Sequence, residues 1–533
     1  MLLLATIAAV PQHGSTAAVE HRRTAALRNL GTVAECLPLE PRASHGNYLI
    51  PGTRGDIVYR IAESRGEPAT RALDAYRQPG STRLPAVIVV HGGNGAGSRV
   101  SFVGQLLETL TAAGYQWVSI DYTLDPGTSE MAVDDLQAAI TFVKCHAREL
   151  GIDAERIALL GEDSGADLVT RAAARDHSLK AVVLAGAAFG PAVSPRSAPA
   201  LVIHGGADED VPIARAEAWC DARSAVSCDL ISVARASHRV ENWYPSQWTY
   251  KVQLVAWLNR VLGPGVTPAP AAATGIDNAS RVGPGLVKDI TYDETHNLTL
   301  DAWLPDATAA GPAAVLVHGG GWEAGDKVTY ITPLFEPLAR AGIAWFSIDY
   351  RLTPEVRHPD QMSDLRQAVT FVRQHAERFQ IDPARLVVIG ESASGQMAAL
   401  LATEDSRLAG VVSFYGVYDF LPFAATLTAR SLPARLFGIR ALDASAESLL
   451  RRYSPIFHVR REMPPLLLLH GTAEELWKQG QAMDRALTAA GARHELYALE
   501  GAPHGMENWE GRREWAAYKD KVVSFVRDVT RSN

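Results

Sequence analysis

The chain repeats itself. Leu73-Asp-Ala-Tyr76 recurs as Leu300-Asp-Ala-Trp303, and an apolar run ending in His91-Gly-Gly93 recurs as one ending in His318-Gly-Gly-Gly321. Ser119-Ile-Asp-Tyr122 recurs as Ser347-Ile-Asp-Tyr350, and His238 with Glu241-Asn-Trp243 recurs as His504 with Glu507-Asn-Trp509. Whatever fold one half adopts, the other half must adopt too. The 533 residues are enough for two domains of ordinary size. The expected division is an N-terminal segment at 1–44, a first copy at 45–262, a linker rich in Pro, Ala and Gly at 263–285, and a second copy at 286–533.

Within each copy, short β-branched runs alternate with helical spacing. Val87-Ile-Val-Val90 and Trp117-Val-Ser-Ile120 read as buried parallel strands, and Phe102 to Ala113 between them has helical periodicity ending at Gly114. That order predicts βαβ units, hence an α/β fold: in each copy a doubly wound, mostly parallel sheet with helices on both faces. A hydrophobic content of 47% and a charged content of 21% place the chain among globular proteins. Its net charge of −8, with no dense run of Lys or Arg, argues against a nucleic-acid partner. No stretch approaches the roughly 20 apolar residues of a membrane span.

Met1 to Val10 is apolar enough for the core of a secretory signal, though it lacks a basic start and a small-residue cleavage site. A secreted or periplasmic location is the expectation. The four cysteines, Cys36, Cys145, Cys220 and Cys228, all lie in the first half. They are either disulfides, with Cys220 and Cys228 the nearest pair, or small buried thiols. Their spacing does not resemble a zinc site.

The chemistry gathers in the second copy. Arg385 to Glu391 reads as a strand running into Gly390-Glu-Ser392-Ala-Ser394, followed by helix-forming residues. A serine on so tight a turn needs small residues two places to either side. Upstream, His318-Gly-Gly-Gly-Trp322 follows a strand, where glycines let backbone N–H groups approach a developing oxyanion. Gly320, Gly321 and the N–H of Ala393 are the expected donors, and His318 is read as structural. Downstream, a strand ends at His470-Gly-Thr-Ala-Glu474, and the loop Gly501-Ala-Pro-His504 precedes a final helix. The order Ser392, Glu474, His504 is that of a nucleophile, an orienting acid and a base, a set that requires no metal and no cofactor.

HGGGWEAGDK, DYRLTPE, GESAS, HGTAEE and the final APHG together resemble the bacterial esterase/lipase group of the α/β-hydrolase superfamily, which includes acetyl and feruloyl esterases. The resemblance covers most of Val287 to Arg531. It implies a serine carboxylic ester hydrolase acting on small-molecule or polysaccharide-linked acyl esters. In that group the acid is usually aspartate. Here it is Glu474, with Glu475 as the fallback, and Leu476-Trp477 stand where Val-Pro is common. Between Gly416 and Leu466 the second copy is longer than the first, so a substrate lid is expected at about 417–464, with Trp322, Tyr418, Phe420 and Trp477 lining the pocket. The His-Gly-Gly-x-Trp loop also resembles arylformamidases, which leaves an amidase as an alternative.

The first copy departs at the key position. Asp135 stands to Asp364 as Gly161 stands to Gly390, so Ser392 aligns with Asp163 rather than Ser164. Glu474 aligns with Asp208, and His504 with His238. Two readings of this Asp–Asp–His set are open. It is a decayed copy kept for structure or binding, or its aspartate attacks carbon as in dehalogenases and epoxide hydrolases.

Overall fold

The apolar runs pair into two sheets of eight strands each, one per half of the chain. The computed structural model describes residues 36–39 and 53–531, apart from 65–66, 82, 94–96, 102–103, 125–128, 190–197, 224–226, 235, 239, 241–242, 244–246, 266–281, 429–430 and 511. Residues 1–35 of the expected leader, most of the expected linker, Asn94 and Glu241 lie outside the described residues.

The first sheet contains β1 (Thr53–Ser64), β2 (Glu67–Tyr76), β3 (Leu84–Val90), β4 (Gln116–Ile120), β5 (Ile152–Glu162), β6 (Ala181–Ala185), β7 (Ala200–Gly205) and β8 (Cys228–Val233). The second contains β9 (Gly285–Asp293), β10 (Leu298–Leu304), β11 (Gly311–Val317), β12 (Ala344–Ile348), β13 (Ile381–Glu391), β14 (Gly410–Phe414), β15 (Leu466–Gly471) and β16 (His494–Leu499). Their orders are β1-β2-β4-β3-β5-β6-β7-β8 and β9-β10-β12-β11-β13-β14-β15-β16, the same topology twice. β2 runs antiparallel to both β1 and β4, as β10 does to both β9 and β12, and the remaining pairs are parallel. This is the α/β-hydrolase architecture expected from the sequence, in two copies.

Strand periodicity divides the cores. Val87 and Val89 of β3 face one way, and Ala86, Ile88 and Val90 the other. The first set belongs to an apolar cluster that also takes in Leu316, Leu334, Leu338 and Trp345 of the second copy. The outward faces form separate clusters, one per copy. Charged contacts around the shared core are reciprocal. Asp56 of β1 pairs with Arg340 of the second copy, and Lys288 of β9 pairs with Glu108 of the first. Two disulfides form, Cys36–Cys145 joining the N-terminal segment to the first copy and Cys220–Cys228 within that copy, so the thiol alternative does not hold in this structure.

A buried charge cluster fixes the loop that follows the central strand. In the second copy, the Lys327 ammonium lies 2.5 Å from Asp289, 3.3 Å from Asp301 and 3.5 Å from Asp349. Arg99 makes the matching set with Asp56, Asp74 and Asp121 in the first. Burial pushes Asp301 up to about 6 despite the lysine, so the cation is what keeps this carboxylate charged at neutral pH. Lys327→Met leaves the buried Asp301 with only Lys288, 3.8 Å away, as counter-charge, and should cost about 3 kcal/mol. A urea titration would measure this, and a loss below about 1 kcal/mol, the scale of an exposed pair, would contradict the assignment.

Candidate active site

Two strands deliver the central residues. β5 and β13 end at Glu162 and Glu391, and helices Ser164–Arg175 and Ala393–Glu404 begin two residues later. The single residue between strand and helix has φ 56° and ψ −112° at Ser392, and φ 47° and ψ −119° at Asp163. A non-glycine residue rarely adopts this conformation, and here it turns the side chain out at the carboxyl end of the sheet. The turn closes only over small neighbours. A Cβ at Gly390 would stand 2.1 Å from the Ser394 carbonyl oxygen. Ser394 fits where the first copy has Gly165 because its hydroxyl donates to the Val317 carbonyl at 2.6 Å and accepts the Glu391 N–H at 2.8 Å.

In the second copy, the Ser392 hydroxyl lies 2.9 Å from His504 Nε2, and His504 Nδ1 lies 2.5 Å from Glu474 Oε2. The other oxygen of Glu474 faces His470 Nδ1 at 2.8 Å. Burial alone would raise the Glu474 pKa, but the two imidazoles outweigh it and hold the carboxyl below its ordinary value. Burial opposes the charged form of His504, yet the hydrogen bond and charge of Glu474 raise its pKa above the ordinary 6.5. Such a line can pass a proton from the serine oxygen to the imidazole while the carboxylate stabilises the resulting charge.

The glycine loop turns back beside this line. Gly320 and Gly321 have φ 93° and 63°, and a Cβ at Gly320 would stand 2.2 Å from the Ala324 carbonyl oxygen. His318 is buried, stacks on Tyr350 at 4.4 Å and contacts its neighbour's carbonyl, and burial lowers its pKa. Its role is structural, as expected. The expected pocket residues are placed differently from expectation. Trp322, Tyr418 and Phe420 are 3%, 0% and 0% exposed, and the Tyr418 hydroxyl is within 2.8 Å of Ser413. Trp322 and Phe420 pack around His358, and Tyr418 packs against His470. Trp477 is half-buried at the start of the helix Trp477–Ala490.

In the first copy, one oxygen of Asp163 lies 3.3 Å from His238 Nε2, and His238 Nδ1 lies 2.8 Å from Asp208. The other oxygen accepts the N–H of Gly93 at 3.3 Å, with the Ser164 N–H also contributing. Gly93 and Ser164 are the counterparts of Gly320 and Ala393. The Asp163 carboxylate therefore sits against the backbone N–H groups that correspond to those of Gly320 and Ala393. Hydrogen bonding to Asp163, then to Asp208, lifts His238 to about 9, so it is an imidazolium at neutral pH.

Sequence reasoning missed Tyr415 and Glu391, which lie against His504 and the glycine loop. The signal that could have found Tyr415 is the glycine, Gly186, at its counterpart in the first copy. Among the described residues, no cluster of three or more His, Cys, Asp or Glu could hold a metal ion.

The chain is 32% identical over 213 residues to "Probable carboxylic ester hydrolase LipM" of Mycobacterium tuberculosis, covering 36% of this chain and 49% of that protein. It is 28% identical over 264 residues to the esterase LipC of the same organism, covering 46% of this chain and 65% of LipC. To the ethyl acetate hydrolase of Pseudomonas putida it is 28% identical over 240 residues, covering 42% of this chain and 76% of that protein. The chain thus spans about half to two-thirds of the two mycobacterial relatives. The family described as BD-FAE matches residues 73–185 in the first copy and 300–487 in the second, together more than half of the sequence. The chain belongs to the BD-FAE family, carried in two copies.

Proposed function

We propose that the chain is a carboxylic ester hydrolase with one working site, in the second copy. Ser392 is the nucleophile, His504 the general base and Glu474 the residue that orients and stabilises the imidazolium. The observation that carries this reading is the unbroken line from the Ser392 hydroxyl through His504 to Glu474, set on a positive-φ turn. His504 Nε2 takes the proton as the serine oxygen bonds to the ester carbonyl carbon. The tetrahedral oxyanion then accepts from the N–H groups of Gly320, Gly321 and Ala393. Collapse expels the alcohol, which takes the proton from His504, and water repeats the sequence to release the acid. Support for the oxyanion assignment comes from the first copy, where the matching N–H groups already hold a carboxylate oxygen.

Residues 417–464 form a lid over this site, and the substrate is an acyl ester, acetyl or aromatic, carried on a small molecule or polysaccharide. Support for the lid comes from the ion pair of Arg435, in its helix Leu432–Phe437, with Glu323 beside the glycine loop. Phe420 packs on Trp322 of the same loop at 5.8 Å. The disulfides fit an oxidising compartment, secreted or periplasmic.

The first copy is a structural partner without ester chemistry. An attacking carboxylate needs a free oxygen, whereas both oxygens of Asp163 are engaged. A base needs neutral imidazole, whereas His238 stays protonated to about pH 9.

Ser392→Ala should reduce kcat on an aryl acetate by about 10⁴-fold or more with the fold intact. Retention of a tenth of wild-type activity would overturn the reading. The wild-type rate should rise with pH as His504 loses its proton, with a midpoint above 6.5. A pH-independent rate from 5 to 9 would contradict the base assignment.

Asp163→Asn in the full chain should leave ester hydrolysis within about two-fold, because the Ser392 site is complete in its own copy. It should nevertheless lower the melting temperature. The fold favours the protonated form of His238, so this stabilisation is complete below about 6.5 and fades as pH rises through about 9. The melting difference between wild type and Asp163→Asn should be larger at pH 6 than at pH 10. An equal difference at both would contradict the ion pair.

A further inference from the structure

Tyr415 stands one residue beyond β14, fully buried, with φ 35°. Holding a bulky residue at positive φ costs about 1–3 kcal/mol and needs a compensating reason. The fold itself supplies none, because the first copy has Gly186 at the same point. The elbow residues Ser392 and Asp163 donate their N–H groups to Phe414 and Ala185, each immediately before this position. Tyr415 and Gly186 then donate to Leu469 and Ile203 of the next strand at 2.7 and 2.9 Å. The backbone is built equally well around glycine.

The tyrosine side chain joins three segments. Its hydroxyl accepts the Met506 N–H at 2.6 Å, two residues after His504. The same hydroxyl lies beside the carboxyl of Glu391, the residue between Gly390 and Ser392. Its ring meets the His504 ring edge-on at 4.5 Å. Glu391 also packs directly on the glycine loop, where a Cβ at Gly319 would stand 1.8 Å from its carboxyl oxygen. Burial, and then the neighbouring Glu507, push Glu391 up to about 8, so it carries its proton at neutral pH. The first copy keeps the glutamate half of this arrangement, with Gly92 N–H donating to Glu162 at 2.8 Å. It lacks the tyrosine half.

We propose that Tyr415 is a positioning residue whose hydroxyl ties the His504 segment to the elbow and, through Glu391, to the oxyanion loop. The inference rests on the reading of Ser392 and His504 given above. A neutral serine has one hydrogen bond to its histidine and cannot hold the loops in register alone. The Asp163 carboxylate binds its histidine and its loop directly, and the copy that carries it has no such tie. Small misplacements of a base or an oxyanion donor are costly, so the tie should show in kcat rather than in substrate binding.

Tyr415→Phe keeps the ring against His504 and removes only the hydroxyl. It should lower kcat by about 10–100-fold, with KM within about three-fold of wild type and the melting temperature little changed. Glu391→Gln, which matches the neutral acid and keeps an acceptor, should stay within about three-fold of wild type, while Glu391→Ala falls as far as Tyr415→Phe. The double variant Tyr415→Phe/Glu391→Ala should fall little further than either alone, because both remove one link. With Ser392→Ala inactive, a Tyr415→Phe enzyme within two-fold of wild-type kcat overturns this proposal and leaves the triad standing. An active Ser392→Ala enzyme would instead remove the reading on which the proposal rests. Should Tyr415→Phe melt below the assay temperature, the Glu391 variants decide, and equal kcat for Gln and Ala overturns the tie.

Discussion

The site in each copy depends on one residue held at positive φ where a central parallel strand passes directly into a helix. The strand is pinned on both sides by neighbours, Val317 against Gly390 and Phe414 against Glu391, so the turn has no slack. The residue at its apex must point out of the sheet, and the next N–H must point into the space beside it. Small neighbours and the buried cation that anchors the glycine loop follow from this constraint. Relaxing the turn would scatter side chains that come from four separate segments of the chain.

With the backbone constraint satisfied twice, the difference between the copies is electrostatic. Ser392 brings a neutral hydroxyl, and its partners arrange charge for a proton that has yet to move. Asp163 brings a negative charge that is already neutralised by His238 and by the loop N–H groups. In one copy the acid raises the histidine above its ordinary value, and in the other the histidine is held charged to about pH 9. On the proposed reading, one substitution at the apex converts a proton relay into an ion-paired strut. The two sheets share one apolar cluster, so the first copy contributes to the body on which the second is built.

Much of this was legible in the sequence because duplication prints each feature twice. The strand-turn-helix at Ser392, the glycine loop at His318 and the late His504 recur at matched positions, and the structure brings them together. The Asp163 substitution was visible for the same reason. Tyr418 and Phe420 were read as pocket wall because aromatics in an insertion resemble a lid, but their depth depends on how short helices fold back, which spacing does not encode. The capture of the Gly93 N–H by Asp163 depends on backbone direction at a single turn. Tyr415 escaped notice because an aromatic at the end of a buried strand looks like packing. Its positive φ and its reach to Met506 exist only in three dimensions.

The central claim, a single serine nucleophile in the second copy, is tested most directly by labelling the full chain with a fluorophosphonate and mapping the adduct by mass spectrometry. The account predicts one label per chain, on Ser392, with esterase activity falling in proportion to its occupancy. A label on Ser164, or complete inactivation with Ser392 unmodified, would contradict it.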